Sequence, residues 1–177
     1  MTNSVLRYSS RTAWIHWVSA LLIIGLIYTG INMEHAAHDV KKFTLYKIHF
    51  ALGFSVFILT IWRVISLLKD ERPEPLYPRK SVHQKFIFVV HYGFYLVILW
   101  MCISGISSLF LEGIMSSLIS GNFLDLPEIS SDGFHPMMLS HHIVAKILFL
   151  LLLFHILGFI VHLIRKRDNT LKRIWLR

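Results

Sequence analysis

Four long apolar segments dominate the sequence, at residues 14–33, 49–68, 86–111 and 139–164. Each is long enough to cross the hydrocarbon core of a bilayer, which takes about 20 residues of α-helix. Hydrophobic residues make up 55% of the 177-residue chain and charged residues only 16%, a composition too apolar for an ordinary soluble domain. We therefore predict an all-α membrane protein, with the whole chain (1–177) forming one domain, a four-helix transmembrane bundle.

The positive charges are distributed unevenly between the two sides of the predicted bundle. Fourteen of the 18 Lys and Arg residues lie before the first segment, in or around the second connection, or after the fourth segment. These regions share one side of the membrane, because an even number of crossings separates them. The positive-inside rule then places both termini in the cytoplasm. The net charge of +8 thus indicates topology and contact with membrane lipid, and nucleic acid is not expected as a partner.

The connections between the segments differ in character. The first outer loop is expected at about 34–47. The inner loop at 69–85 contains three prolines and is expected to be extended rather than helical. The second outer loop, 112–138, is the longest and mixes polar with apolar residues, a pattern that predicts a short interfacial helix.

Histidines carry the functional signal, since an imidazole inside a membrane segment usually marks a function or finds a partner. His141 and His155 are 14 positions apart, close to four helical turns, so they lie on one stripe about 21 Å apart. His16 lies at the depth of His155, toward the cytoplasm, and His49 lies at the depth of His141, toward the outside. Two imidazoles from opposite helices can fill both axial positions of a haem iron, so these pairs predict two haem sites.

Other assignments stay open on the residues alone. His91, near the cytoplasmic end of the third segment, is a second candidate for an inner ligand, or for a contact to a haem propionate or a quinone. His162 competes with His155, because it lies seven positions further on the same helix face. A zinc site is disfavoured, since its ligands would have to lie close together. The single Cys102 offers no C-x-x-C-H attachment, so any haem is held by coordination alone.

Five stretches, taken together, make the chain resemble the bacterial cytochrome b561 family of small four-helix di-haem membrane proteins. They are RTAWIHW around His16, IHFALG around His49 with the following Trp62-Arg63, HYGFYL around His91, LSHH around His141, and FHILGFIVH with RDNTL around His155 and Asp168. Their order and spacing agree with the family over nearly the whole chain.

The resemblance implies a protein of the bacterial inner membrane that binds two haem b groups through paired histidine ligands. His16 and His155 would hold the haem on the cytoplasmic side, and His49 and His141 the haem on the periplasmic side. In this pattern His155 is the ligand rather than His162.

Two features beside the ligands need an explanation. Relatives commonly carry Glu where this chain has His142, so His142 is a rival to His141, although the helical phase to His155 favours His141. Gly53 and Gly105 lie inside predicted helices, where Gly has a cost. They would either let a flat macrocycle approach the backbone or allow close helix packing.

The resemblance also implies a function. Family members include a superoxide oxidase, which takes an electron from superoxide on the periplasmic side and passes it to ubiquinone. We therefore expect di-haem electron transfer to the quinone pool, with superoxide as the favoured donor. As a hypothesis, Lys41, Lys42 and Lys47 in the first outer loop attract the anion toward the outer haem; the simpler interpretation is that they are solvated lysines.

Two alternatives belong to other classes of protein. One is a non-catalytic cytochrome b subunit that passes electrons to quinone from a reduced donor protein, either a dehydrogenase or a hydrogenase. The other is a structural or transport bundle without haem.

Overall fold

The computed structural model describes residues 7–69, 78, 80–128, 135–166 and 170–175. This part of the chain contains α-helices and no strand. The helices are α1 (Ser10–His35), α2 (Val40–Lys69), α3 (Val82–Leu111), α4 (Ile114–Ser120), α5 (Pro136–Val161) and α6 (Thr170–Ile174). A 3-10 turn at Phe123–Asp125 follows α4, and a π-helical turn at His162–Lys166 follows α5.

Four of these helices are long and apolar enough to cross a membrane, and they confirm the predicted all-α bundle. They are α1, α2, α3 and the continuous helical stretch Pro136–Ile164, which begins with α5. Each begins several residues before its apolar segment, because capping side chains and not hydropathy set the first turn. The Ser9 hydroxyl accepts from the backbone N–H of Thr12 before α1, and the Ser81 hydroxyl accepts from Gln84 N–H before α3.

The start of α2 corrects the prediction of a first outer loop at 34–47. The helix already begins at Val40, so Lys41, Lys42 and Lys47 lie on helical turns and not in a loop. An Asp39 Oδ1 atom 3.0 Å from the backbone nitrogen of Lys42 caps the first turn. Burial of Phe43 then holds that turn against the rest of the protein.

The membrane helices pack mainly as two pairs, α1 with α2 and α3 with α5, and α2 also contacts α3. Over one end of the bundle lies α4, whose presence confirms the short helix predicted for the second outer loop. Ile114 of α4 is fully buried in an apolar cluster with Phe43, Leu109 and Leu126. This end is called the α4 end below.

At the opposite end, α6 lies against α1. The indole nitrogen of Trp17 donates a hydrogen bond to the Ile174 carbonyl at 3.1 Å, and Tyr8 N–H donates to the Arg173 carbonyl at 3.0 Å. This end is called the α6 end. Most of the inner loop predicted at 69–85 lies outside the described residues, and so does Asp168 of the RDNTL stretch.

Candidate functional site

The predicted outer histidines meet at the α4 end. His49 of α2 and His141 of α5 face each other with their ring centroids 6.3 Å apart and their planes inclined at 70°. Since α1 pairs with α2 and α3 with α5, the two rings meet between the two helix pairs. This is the interior position from which facing helices of a bundle hold a cofactor.

A hydroxyl group orients each of these two rings. Thr29 Oγ1 on α1 lies 2.9 Å from His49 Nδ1 and donates its own proton to the carbonyl of Gly25 at 2.8 Å. A hydroxyl has one proton, so with that proton committed to a carbonyl the oxygen accepts from the ring. The Nδ1 atom of His49 therefore carries the hydrogen, and its Nε2 atom keeps a free lone pair.

The same arrangement recurs on the other helix pair. Ser104 Oγ of α3 donates to the Trp100 carbonyl at 2.8 Å and lies 3.1 Å from His141 Nδ1. The serine is fully buried, so water does not compete for this bond. By the same reasoning, His141 has its lone pair on Nε2.

A glycine follows each of these hydroxyl residues and faces the same ring. A Cβ atom at Gly105 would lie only 3.0 Å from Cε1 of His141, tighter than nine in ten real Cβ contacts. A Cβ atom at Gly30 would lie 3.5 Å from Cε1 of His49, an ordinary contact. The lack of a side chain at Gly105 thus leaves room for the imidazole of His141. Gly53 faces no histidine ring: the contact that a Cβ atom there would make is with Leu26, at 3.8 Å.

The predicted inner histidines meet at the α6 end, together with a third. His16 of α1 and His155 of α5 have ring centroids 6.3 Å apart, with planes inclined at 57°. His91 of α3 lies closer to His155, at 5.3 Å, and Phe94 packs edge-on against the same ring at 5.5 Å. His91 Nδ1 donates to the Ile87 carbonyl at 2.7 Å, which leaves its Nε2 free as well.

Arg63 of α2 distinguishes this end from the other. Its Nη1 atom lies 3.2 Å from His16 Nδ1. A guanidinium can only donate, so His16 Nδ1 accepts, and a neutral imidazole then holds its proton on Nε2. His16 thus differs from His49, His91 and His141 in the position of its ring proton.

His162 and His142 are the remaining candidate ligands. His162 lies just beyond α5, at the start of the π-helical turn, so the regular helical phase that linked it to His155 ends before it. His142 is next to His141 in α5, and it is the ring of His141 that faces His49. The described residues contain no cluster of three or more His, Cys, Asp or Glu side chains suited to a metal ion.

Sequence reasoning missed the side chains that orient the histidines: Thr29, Ser104 and Arg63. One signal was available for the first two, because a hydroxyl residue directly precedes a glycine inside two different membrane segments, at Thr29-Gly30 and at Ser104-Gly105. Arg63 was noted only as part of the Trp62-Arg63 stretch, and a cation this far inside a membrane segment already indicates a function.

The similarity of the chain to known proteins extends over nearly its whole length. The chain matches the family described as prokaryotic cytochrome b561 over residues 7–176. It is also similar to a Yersinia pestis protein named probable superoxide oxidase CybB, with 26% identity over 172 residues that make up 95% of each chain.

Proposed function

Because the chain belongs to the prokaryotic cytochrome b561 family, we propose that it binds two haem b groups and carries electrons from superoxide to ubiquinone. Family membership gives the broader statement, that this multi-pass membrane protein binds haem b and takes part in electron transfer. The similarity to the protein named superoxide oxidase motivates the choice of electron donor.

The spacing of the two histidine pairs carries the proposal. An imidazole bound to a metal through one nitrogen has that nitrogen about 2 Å from the metal, so two coaxial imidazoles have ring centres about 6 Å apart. Both pairs have centroids 6.3 Å apart. The spacing therefore fits one iron between each pair, with His49 and His141 as ligands at the α4 end and His16 and His155 at the α6 end.

Within the α6-end cluster, the spacing favours His16 and His155 over a pair that includes His91. At 5.3 Å, the rings of His91 and His155 are closer than two coaxial ligands of one iron would be. We assign His91 to the surroundings of this haem, where its Nε2 can accept a hydrogen bond from a quinol hydroxyl or, once protonated, donate one to a propionate or a quinone.

The protein's part in the chemistry is to hold, orient and separate the two sites. When bound, haem b would supply one-electron transfer at each site. The helix α5 is regular from His141 to His155, so the two proposed sites would lie about 21 Å apart along its axis. Thr29 and Ser104 hold the α4-end imidazoles with Nε2 free, as iron coordination requires.

The overall reaction balances with two superoxide ions for each quinone. Each superoxide gives up one electron and becomes O₂, and the quinone takes up two electrons and two protons to become the quinol. With both termini in the cytoplasm, the α4 end faces the periplasm, and superoxide would react at this end of the bundle.

Lys41, Lys42 and Lys47 form the positive part of this end. Lys47 Nζ lies 4.5 Å from the centre of the Phe43 ring, which fixes its position near the start of α2. All five carboxylates of the described residues also lie toward the α4 end: Glu34, Asp39, Glu112, Asp125 and Glu128. Any attraction of superoxide is therefore local to the three lysines and does not come from the whole face.

Quinol formation by the purified protein tests the proposed reaction. Superoxide is generated enzymatically in the presence of a soluble ubiquinone, and quinol is measured with and without superoxide dismutase. We expect one quinol per two superoxide ions, abolished by the dismutase and by His49→Ala. Haem that is reduced only in the presence of a co-purifying dehydrogenase or hydrogenase would instead establish the electron-carrying subunit.

The three lysines are tested by changing them together to alanine. If they attract superoxide, the rate falls severalfold at low salt, and the wild-type rate declines as ionic strength rises. The matched control is Lys146→Ala, which removes one cation from α5 instead. A salt-independent wild-type rate, or an unchanged rate in the triple variant, would rule out attraction by these lysines.

A further inference from the structure

Arg63 is a cation inside a membrane helix, and it points toward the histidines of the α6 end. It lies two turns before the end of α2, and its side chain is half-buried. Its Nη1 atom is 3.2 Å from His16 Nδ1, and its guanidinium carbon is 5.9 Å from the centre of the Tyr95 ring. The guanidinium group thus reaches from α2 toward both α1 and α3.

Not every N–H group of this guanidinium donates a hydrogen bond within the described part of the chain. Its Nε atom is buried and has no hydrogen-bond partner among the described residues. All described carboxylates lie toward the α4 end, so the described part of the chain offers Arg63 no anion at its own end. A buried charge is retained only when it is paired and hydrogen-bonded, and a charge inside a membrane segment marks a functional partner.

The contact with His16 does not give Arg63 the anionic partner that it lacks. It places a cation against a neutral ring, and it leaves the ring proton on Nε2. For His16 to coordinate iron through Nε2, that proton must move to Nδ1, and Nδ1 can then no longer accept from Arg63. Coordination therefore requires Arg63 to find another acceptor.

On the basis of the proposed haem sites, we infer that Arg63 binds a propionate carboxylate of the haem held by His16 and His155. A guanidinium and a carboxylate form the strong, bidentate, charge-assisted pair that a buried arginine favours. Pairing with the propionate uses the free Nε donor, neutralises both charges and releases Nδ1 of His16. Arg63 is thus a binding residue for the haem and not a ligand of its iron.

The test replaces Arg63 by methionine, which removes the charge and keeps most of the side-chain length. The wild-type protein must first show two haems per chain, and a failure there concerns the proposed function alone. In R63M, we expect the midpoint potential of one haem to fall by about 59 mV or more, a tenfold change in its redox equilibrium. An unpaired propionate keeps its negative charge beside that haem and disfavours the added electron. The second haem should keep its potential.

Resonance Raman spectra of the propionate bending bands provide the second readout. We expect these bands to shift for one haem in R63M, and to shift less in R63K, which keeps the charge but loses the planar fork. The control is Lys146→Met, which removes another cation from a membrane helix and should leave potentials and bands unchanged.

Loss of one haem from R63M, with the other retained, would also support the inference. If R63M does not accumulate, the Raman bands of R63K decide. Unchanged potentials and propionate bands in a variant that holds both haems would overturn it, since Arg63 would then pair with something other than the haem.

Discussion

The replacement of Gly105 by alanine tests how closely the α3 backbone supports the α4-end site. The new Cβ atom would lie 3.0 Å from Cε1 and 3.3 Å from Nδ1 of His141. Carbon atoms in contact normally lie about 3.5–4.0 Å apart, so the imidazole would have to move by a few tenths of an ångström. Ser104 bonds the same ring from the preceding position and limits the directions in which it can move.

A displacement of this size matters because metal ligands tolerate little error. Coordination distances are held to within about 0.2 Å. Disturbing the groups that orient a ligand commonly weakens metal binding about 10–100-fold. We therefore expect G105A to weaken haem binding at the α4-end site about 10–100-fold and to leave haem binding at the α6-end site unchanged.

Gly30→Ala is the matched control, because its Cβ atom would lie 3.5 Å from Cε1 of His49 and requires no movement. Both substitutions bring the same gain in helix propensity, about 0.5–1 kcal/mol, so their difference isolates the contact with the ring. The assay is a titration of the purified, haem-depleted proteins with haem, followed by optical spectra. Equal haem affinity in the two variants would refute the argument.

Two further predictions concern the tautomer of His49 and the packing of α4. Thr29→Val removes the acceptor for the His49 Nδ1 hydrogen and makes the ring a less basic ligand, so the midpoint potential of the α4-end haem should rise in a redox titration. Thr29→Ser keeps the hydroxyl and should keep the wild-type potential. Equal potentials in both variants would show that the hydroxyl is not needed. Ile114→Ala opens a cavity at a fully buried position and should lower the free energy of unfolding in detergent by about 2–5 kcal/mol. Ile119→Ala, on the same helix but 79% exposed, should change this free energy little. Similar losses in both variants would contradict the described core.

The four membrane helices and the pairing of histidines could be predicted from the sequence because both depend on regular helix geometry. Once four segments cross a membrane, the depth of each histidine follows from its position in its segment. The 14-residue spacing of His141 and His155 then places them on one stripe. The structure accordingly brings His16 to His155 and His49 to His141.

The groups around those rings could not be predicted in the same way. Whether Thr29 reaches His49, or Ser104 reaches His141, depends on how each helix is rotated about its axis and on which helices are neighbours. The start of α2 could not be predicted from hydropathy either. Asp39 caps a helix that begins at Val40, well before the apolar segment at 49–68. Hydropathy marks the part of a helix inside the bilayer, whereas capping residues mark where the helix begins.

The central claim, that each histidine pair holds one haem, is tested most directly by counting haems. The measurement is a pyridine haemochrome assay with reduced-minus-oxidised spectra, made on the wild-type protein and on His49→Ala, His155→Ala and His91→Ala. We predict two low-spin haems b per chain in the wild type and in the His91 variant, and one in each of the other two. A wild-type protein with one haem or none, or a haem lost with His91 but kept without His155, would contradict the account.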